Sequence, residues 1–123
     1  DYVRKANDHT LLMVLIEDIV AINNLDDILE VDHIDVFYVA PVDLAASMGH
    51  IGDLEHPEVQ QAVDQAITRI QHKGRVAGTL ANNDNVAKYA AAGVRMLFTM
   101  AGQWIGAGAR DFMQRERSAE PTS

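Results

Sequence analysis

The sequence predicts an α/β fold made of successive βα units around a parallel sheet. Four short runs of apolar, β-branched and aromatic residues recur along the 123-residue chain, and a segment with helical periodicity follows each run. The runs lack polar alternation, as expected for parallel strands. Such an order implies right-handed crossovers. We treat residues 1–123 as one segment, which forms either a small doubly wound sheet or half of an eight-stranded barrel.

The first predicted unit follows residues 1–10, which are interpreted as the end of a helix and a connection. A continuous apolar run at 11–16 predicts a strand covered on both faces, and it ends on Glu17 and Asp18. Residues 19–31 then predict a single crossover helix. Its apolar positions have helical spacing: Ile22, Leu25, Ile28 and Leu29.

The second predicted unit begins with the buried strand 36–39. Pro41 suits the first turn of a helix that ends near Gly49. The loop 49–56 leads to a longer helix that starts at Pro57 and closes at Gly74. Its apolar stripe consists of Val59, Ala62, Val63, Ala66, Ile67 and Ile70.

The third and fourth predicted units have strands at 76–80 and 96–100, followed by helices at 86–92 and 101–117. The tail 118–123 is expected to fray. Candidate N-caps of the helix at 86–92 are Asn82, Asn83 and Asp84.

Composition excludes several classes of function. The chain is 48% hydrophobic, which indicates a globular protein, and it has no cysteine for disulfides or thiolate metal sites. It shows no membrane-length apolar run and no signal peptide, so a cytoplasmic protein that does not bind membranes is expected. The net charge of −8, with scattered basic residues, disfavours nucleic-acid binding.

Two carboxylates are the main candidate functional residues. Glu17 and Asp43 each follow a predicted strand, and those strands are separated by one crossover, so they should be neighbours about 4.8 Å apart. Carboxylate oxygens without thiolate or histidine partners suit Mg²⁺ or Mn²⁺. The alternative is that both acids simply cap the helices that follow the strands.

Several motifs resemble the second half of the HpcH/HpaI aldolase family, which is related to the citrate lyase β-subunit group. The similar segment runs from about Leu11 to Met100 and into the last helix. The most specific pieces are Ile16-Glu17, the signature Pro41-x-Asp43-Leu44-x-Ala46-Ser47-x-Gly49, and His56-Pro57-Glu58.

This resemblance implies the C-terminal half of a metal-dependent (βα)₈ TIM barrel. It assigns Glu17 and Asp43 as ligands of Mg²⁺ or Mn²⁺, with Co²⁺ as a further candidate. It also assigns the backbone N–H groups of Val42 and Asp43 as the site for a pyruvate carboxylate. A helix N-terminus independently suits an anion, because its N–H donors are free.

The implied activity is that of a class II aldolase, a carbon–carbon lyase. It would reversibly cleave 4-hydroxy-2-oxo acids to pyruvate and an aldehyde through a metal-stabilised enolate. The family's acid/base His and its Arg come from the first half of the barrel, and nothing here matches them, so no catalytic residue is assigned. The chain is expected to form a homo-oligomer or to pair with the missing half.

The chain departs from the family pattern at three positions near the expected site. Leu15 replaces a substrate-contacting Gln, and Ala40 and Val42 replace Gly and Ala, which would narrow the pocket if their side chains face it. These changes put substrate choice and activity in question.

Other conspicuous residues have ordinary interpretations. Lys5, Lys73 and Lys88 fall on helical or solvated segments, so a Schiff-base role is not expected. Among the histidines, His50 lies nearest the Asp43 loop and is the best candidate for a substrate contact. Trp104 and Ile105 follow the fourth strand and are candidates for lining a pocket or an interface.

Two alternatives to the aldolase remain open from the sequence. A half barrel would leave two sheet edges and one face uncovered, so a self-associating, non-catalytic fragment is one of them. The other is an acyl-CoA lyase of the citrate lyase β type.

Overall fold

The computed structural model of the protein describes residues 2–119 and contains one parallel sheet of four strands. The strands lie in the order β1-β2-β3-β4. Their bounds are Met13–Ile16 (β1), Val36–Val39 (β2), Ala77–Leu80 (β3) and Met96–Phe98 (β4). The predicted parallel α/β fold is therefore confirmed. Doubly wound sheets reverse their strand order at a switch point, so this strictly sequential order favours a barrel.

Seven helices connect and flank the strands within the described residues. Their bounds are Tyr2–His9 (α1), Ile19–Asn23 (α2), Leu25–Leu29 (α3), Pro41–Ser47 (α4), Pro57–His72 (α5), Val86–Ala91 (α6) and Ala101–Ser118 (α7). The prediction of a single helix over 19–31 is wrong, because the chain leaves helical geometry at Asn24 (φ −96°, ψ 12°). Asparagine favours such breaks, since its side chain competes with helical backbone bonding.

Several predicted boundaries shift by one or two residues. β1 starts at Met13 rather than Leu11, β3 starts one residue later than predicted, and β4 ends two residues earlier. α7 includes Ser118, whose hydroxyl donates to the carbonyl of Gln114 at 2.8 Å, so this helix ends one residue later than predicted. Asp1 and residues 120–123, which hold most of the predicted tail, lie outside the described residues.

The core lies on one face of the sheet. Alternate strand residues point toward the helices and are almost fully buried: Ile16, Phe37, Val39, Ala77 and Thr79. On the opposite face Leu15 pairs in register with Tyr38, which pairs with Gly78, and Leu15, Met13 and Phe98 are exposed. The expectation that β1 is covered on both faces is therefore wrong, because the helices cover only one face of this four-stranded sheet.

No helix in the described part of the chain combines the length and apolar character needed to cross a bilayer.

Candidate functional site at the carboxyl end of the sheet

The junction between β2 and α4 places Asp43 at the carboxyl rim of the sheet. Ala40 is the N-cap in extended geometry, Pro41 occupies the first turn, and Asp43 follows in the same turn with an exposed side chain. The first amide of this turn with a backbone acceptor is that of Leu44, which donates to the carbonyl of Ala40 at 3.1 Å. The N–H groups of Val42 and Asp43 have no protein acceptor among the described residues, so they can donate to a ligand.

At the junction between β1 and α2, the two neighbouring acids Glu17 and Asp18 have different roles. Asp18 is the N-cap of α2, and its carboxylate accepts the N–H of Ala21 at 2.7 Å. Glu17 directly follows β1 and is partly buried. Because Asp18 caps α2 and Ala40 is the N-cap of α4, capping does not explain either Glu17 or Asp43.

The two junctions lie side by side. Ile16 pairs with Val39, and the amide of Ala40 donates to the carbonyl of Ile16 at 3.0 Å. Behind the rim, the N–H of Ile19 donates to the Ser47 hydroxyl at 3.0 Å, which links the start of α2 to the end of α4. The segments that carry the two candidate acids are therefore held together at one end of the sheet.

The carboxylates of Glu17 and Asp43 have no ion pair or side-chain hydrogen bond within residues 2–119. Their oxygen atoms are consequently available to a cation. Carboxylate oxygens are the hard donors that Mg²⁺ and Mn²⁺ prefer. These ions also retain several water molecules, which the exposed position of Asp43 allows. The donor chemistry of these two side chains is therefore of the type that suits a divalent ion.

The three positions that depart from the family pattern have different surroundings. Leu15 lies on the uncovered face of the sheet and exposes 49% of its surface. Ala40 is buried at 7% exposure, whereas Val42 exposes 46% of its surface on the first turn of α4. Leu15 and Val42 are thus accessible from solvent, whereas the methyl group of Ala40 is buried in the protein.

Thr79 supports the site and was not identified from the sequence. It is the only polar side chain fully buried among the described residues, and its hydroxyl donates to the carbonyl of Val39 at 3.0 Å. Val39 ends β2 just before the turn that carries Asp43. The available signal was a single threonine within the otherwise apolar strand β3, where a buried hydroxyl needs a partner.

A small cavity lies beside the same rim, beyond β3 and β4. Its volume is about 150 Å³, and Trp104, Asn83, Leu97 and Thr99 contribute to its lining. The indole N–H of Trp104 donates to the Asn83 side-chain oxygen at 3.0 Å. The prediction that Trp104 lines a pocket is confirmed, whereas Ile105 is exposed on α7 and does not contribute to this cavity.

Lys73 and Lys88 each form a surface ion pair. Lys73 contacts Glu30 at 2.6 Å and Lys88 contacts Asp64 at 2.8 Å. These hydrogen bonds raise the pKa of Lys73 and the pKa of Lys88. A Schiff-base lysine needs a lowered pKa, so the contacts agree with the interpretation of both residues as surface charge.

The side chain of His50 contacts Glu58 rather than Asp43. It follows the C-terminal end of α4, and its Nε2 atom contacts the carboxylate of Glu58 at 3.0 Å. Asp43 lies in the first turn of that seven-residue helix, which is about 10 Å long. Within residues 2–119 no side-chain contact joins His50 to Glu17 or Asp43, and its role as a substrate contact stays a prediction.

The chain is similar to characterised proteins in both sequence and structure. The family model for HpcH/HpaI aldolase/citrate lyase matches residues 1–101. A 4-hydroxy-2-oxo-heptane-1,7-dioate aldolase of Escherichia coli is 44% identical over 88 residues, which are 72% of this chain and 34% of that relative. The chain thus spans about a third of the length of the curated relatives it matches.

Two solved structures agree with this relationship. A HpcH/HpaI aldolase/citrate lyase family protein from Burkholderia cenocepacia J2315 has a TM-score of 0.85 at 29% identity, covering 95% of this chain and 46% of that one. A HpcH/HpaI aldolase from Desulfitobacterium hafniense DCB-2 has a TM-score of 0.78 at 25% identity, covering 98% and 48%.

The structural matches confirm that the four βα units form a partial α/β barrel. The sequence match includes both strand ends that carry the candidate acids, since the family model extends from residue 1 to residue 101. On these grounds the chain belongs to the HpcH/HpaI aldolase/citrate lyase family.

Proposed function

We propose that the polypeptide containing this chain is a divalent-metal-dependent class II aldolase acting on 4-hydroxy-2-oxo acids. One observation carries the proposal: Glu17 and Asp43 follow adjacent strands at one rim, and both carboxylates lack protein partners among the described residues. The 44% identity to a relative named as an aldolase supports this class of reaction.

In this proposal Glu17 and Asp43 hold the ion, with Mg²⁺ or Mn²⁺ preferred and Co²⁺ as a further candidate. When bound, the ion supplies Lewis-acid stabilisation of the negative charge that develops on the 2-oxo group. The two protein carboxylates leave other coordination positions for water and for oxygen atoms of the substrate.

The substrate carboxylate is placed at the first turn of α4. The N–H groups of Val42 and Asp43 donate to it, because neither has an acceptor within the protein. In the cleavage direction the bond between C3 and C4 breaks, its electron pair stays with the pyruvate fragment, and the 4-hydroxyl oxygen becomes the aldehyde carbonyl. The hydroxyl proton leaves to a base, and C3 of the enolate then takes up a proton to give pyruvate; we assign no residue of this chain to either transfer.

Since no residue of this chain is assigned as the acid/base group, that group must come from another part of the enzyme. We propose that the remainder of the barrel, or another subunit, supplies that group and covers the open face carrying Leu15 and Phe98. A covered face would exclude water from the rim, which strengthens the electrostatic interactions of the bound ion.

Metal titration tests the site directly. Chelator-treated protein, in the polypeptide as naturally expressed, is titrated with Mn²⁺ by calorimetry, and Asp43→Asn is compared with the matched control Asp84→Asn. Asp84 is an exposed acid of the β3–α6 loop. We expect at least about tenfold weaker binding for Asp43→Asn and unchanged binding for the control. Equal affinity in both variants would refute the metal assignment.

A second experiment tests the reaction class. Release of pyruvate from 4-hydroxy-2-oxo acids of different chain length is followed beside cleavage of a CoA thioester substrate. Activity that requires a divalent ion and appears only with the oxo acids is expected. Cleavage of the thioester alone would show an acyl-CoA lyase instead.

A further inference from the structure

A cluster of side chains capable of ligating a metal ion lies at the α4–α5 loop and the first turn of α5. It contains His50, His56 and Glu58, each of which offers a ligand atom within 4.8 Å of the others. His50 Nε2 and Glu58 Oε2 are 3.0 Å apart, and the two imidazole rings stack at a centroid distance of 3.6 Å and an angle of 17°. The His50 side chain is 23% exposed and that of Glu58 is 69% exposed, so solvent reaches the cluster.

The backbone of the α4–α5 loop creates this arrangement. Gly49 adopts a left-handed conformation (φ 85°), which reverses the chain after α4 and lets the His50 amide donate to the carbonyl of Ala45 at 2.8 Å. Hydrogen bonds from Asp53 to His50 and from His56 to Asp53 fold the loop back toward α5. His56 is then the N-cap of α5, with Nδ1 facing the amide of Glu58 at 3.3 Å.

We propose that His50, His56 and Glu58 bind a transition-metal ion of the Zn²⁺ or Ni²⁺ class. Zinc holds imidazole nitrogen and carboxylate oxygen at about 2.0–2.2 Å in a tetrahedral site, which places neighbouring ligand atoms roughly 3.3–3.6 Å apart. The observed 3.0 Å between His50 Nε2 and Glu58 Oε2 is a hydrogen-bond distance, so these two atoms need to separate by only a few tenths of an ångström to share an ion.

The third ligand needs a local movement. The lone pairs of two stacked rings lie in nearly parallel planes, so both rings cannot point at one ion in this arrangement. His56 therefore turns out of the stack to complete the site and gives up its 3.3 Å contact with the Glu58 amide. That contact is at the long end for a hydrogen bond, which makes the exchange a small loss.

The donor set distinguishes this site from the one at the rim. Two imidazoles favour Zn²⁺, Ni²⁺ or Cu²⁺, whereas two carboxylates favour Mg²⁺ or Mn²⁺. Because His50 follows α4 and Glu58 lies in the first turn of α5, a bound ion would cross-link the two helices and stabilise the fold by linkage. The role is structural and independent of the proposed aldolase chemistry.

Zinc titration tests the proposal. Zn²⁺ is added to the chelator-treated protein, in the polypeptide as naturally expressed, in the presence of excess Mg²⁺, and both affinity and Tm are measured. His50→Ala, His56→Ala and Glu58→Gln are each expected to weaken binding by at least about tenfold and to abolish the zinc-dependent rise in Tm. The matched control is His72→Ala, an exposed histidine at the other end of α5, which should behave as wild type.

The variants also separate a real site from surface binding. Far-UV circular dichroism identifies any variant that fails to fold, and Glu58→Gln keeps the side-chain shape, so it decides the matter if a histidine variant does not fold. Zinc affinity that survives in His50→Ala and Glu58→Gln, or that falls equally in His72→Ala, would overturn the proposal. Full affinity in His56→Ala would overturn the three-ligand site.

Discussion

Arg75 should be among the most sensitive surface positions, because its guanidinium group closes the connection between α3 and β2. It donates to the carbonyls of Leu29 at 3.0 Å, Val31 at 2.9 Å and Ile34 at 3.2 Å. It also lies 4.8 Å from the ring centre of Phe37, which is fully buried in β2. Replacement by Met keeps an apolar stem but removes every polar contact.

The expected loss follows from these contacts. Hydrogen bonds to a charged group contribute about 1.5–3 kcal/mol each when shielded, but the bond to Val31 is exposed and water can replace it. The partly buried bonds to Leu29 and Ile34 remain, and the contact with Phe37 adds about 0.5–1 kcal/mol. After a discount for solvent access, we expect Arg75→Met to lower the free energy of unfolding by about 2–4 kcal/mol.

Urea unfolding measures this loss as a change in midpoint at constant slope. The matched control is Arg95→Met, because Arg95 precedes β4 much as Arg75 precedes β3 and makes no side-chain hydrogen bond among the described residues. We expect the control to remain within about 0.5 kcal/mol of wild type. If Arg75→Met were as stable as Arg95→Met, the contacts of the Arg75 guanidinium group would contribute nothing to the stability of the fold, and the prediction would be refuted.

Three further predictions concern the sheet and its surroundings. Gly78→Ala should cost about 1–3 kcal/mol in urea unfolding, because the new Cβ would lie only 3.1 Å from the Tyr38 ring; unchanged stability would show that the neighbours move freely. Thr79→Val should cost about 1 kcal/mol through loss of the bond to the Val39 carbonyl, and an unaffected midpoint would contradict that bond. Burial raises the pKa of Tyr89, so its stabilising contribution is present below its unfolded pKa and is lost as pH rises through the folded pKa. Tyr89→Phe should therefore flatten the fall of the urea midpoint above about pH 10, and parallel curves would refute this.

The order and type of most elements followed from local pattern. The run Val36–Val39 has no polar residue and is fully buried, as predicted from its aromatic and β-branched composition. The predicted apolar stripe of α5 is also confirmed, since Val59, Val63 and Ile70 have no exposed surface. These two predictions are correct because each depends only on which side of one strand or one helix is apolar.

Other features left no signal in the apolar periodicity of the sequence. The break at Asn24 divides a segment whose apolar spacing is continuous, so periodicity could not reveal it. The pairing of His50 with Glu58 depends on the left-handed Gly49 and the folded loop that follows it. The support of Val39 by Thr79 joins residues 40 positions apart.

The amino-acid sequence by itself determined a parallel βα chain with Glu17 and Asp43 at the ends of successive strands, because strand burial and turn chemistry are local properties. Tertiary structure alone decided that the strands run in sequential order with one face uncovered, and that Asp18 rather than Glu17 caps the helix after β1. The physical reason is that register, capping partners and exposure are set by atoms brought together only when the chain folds.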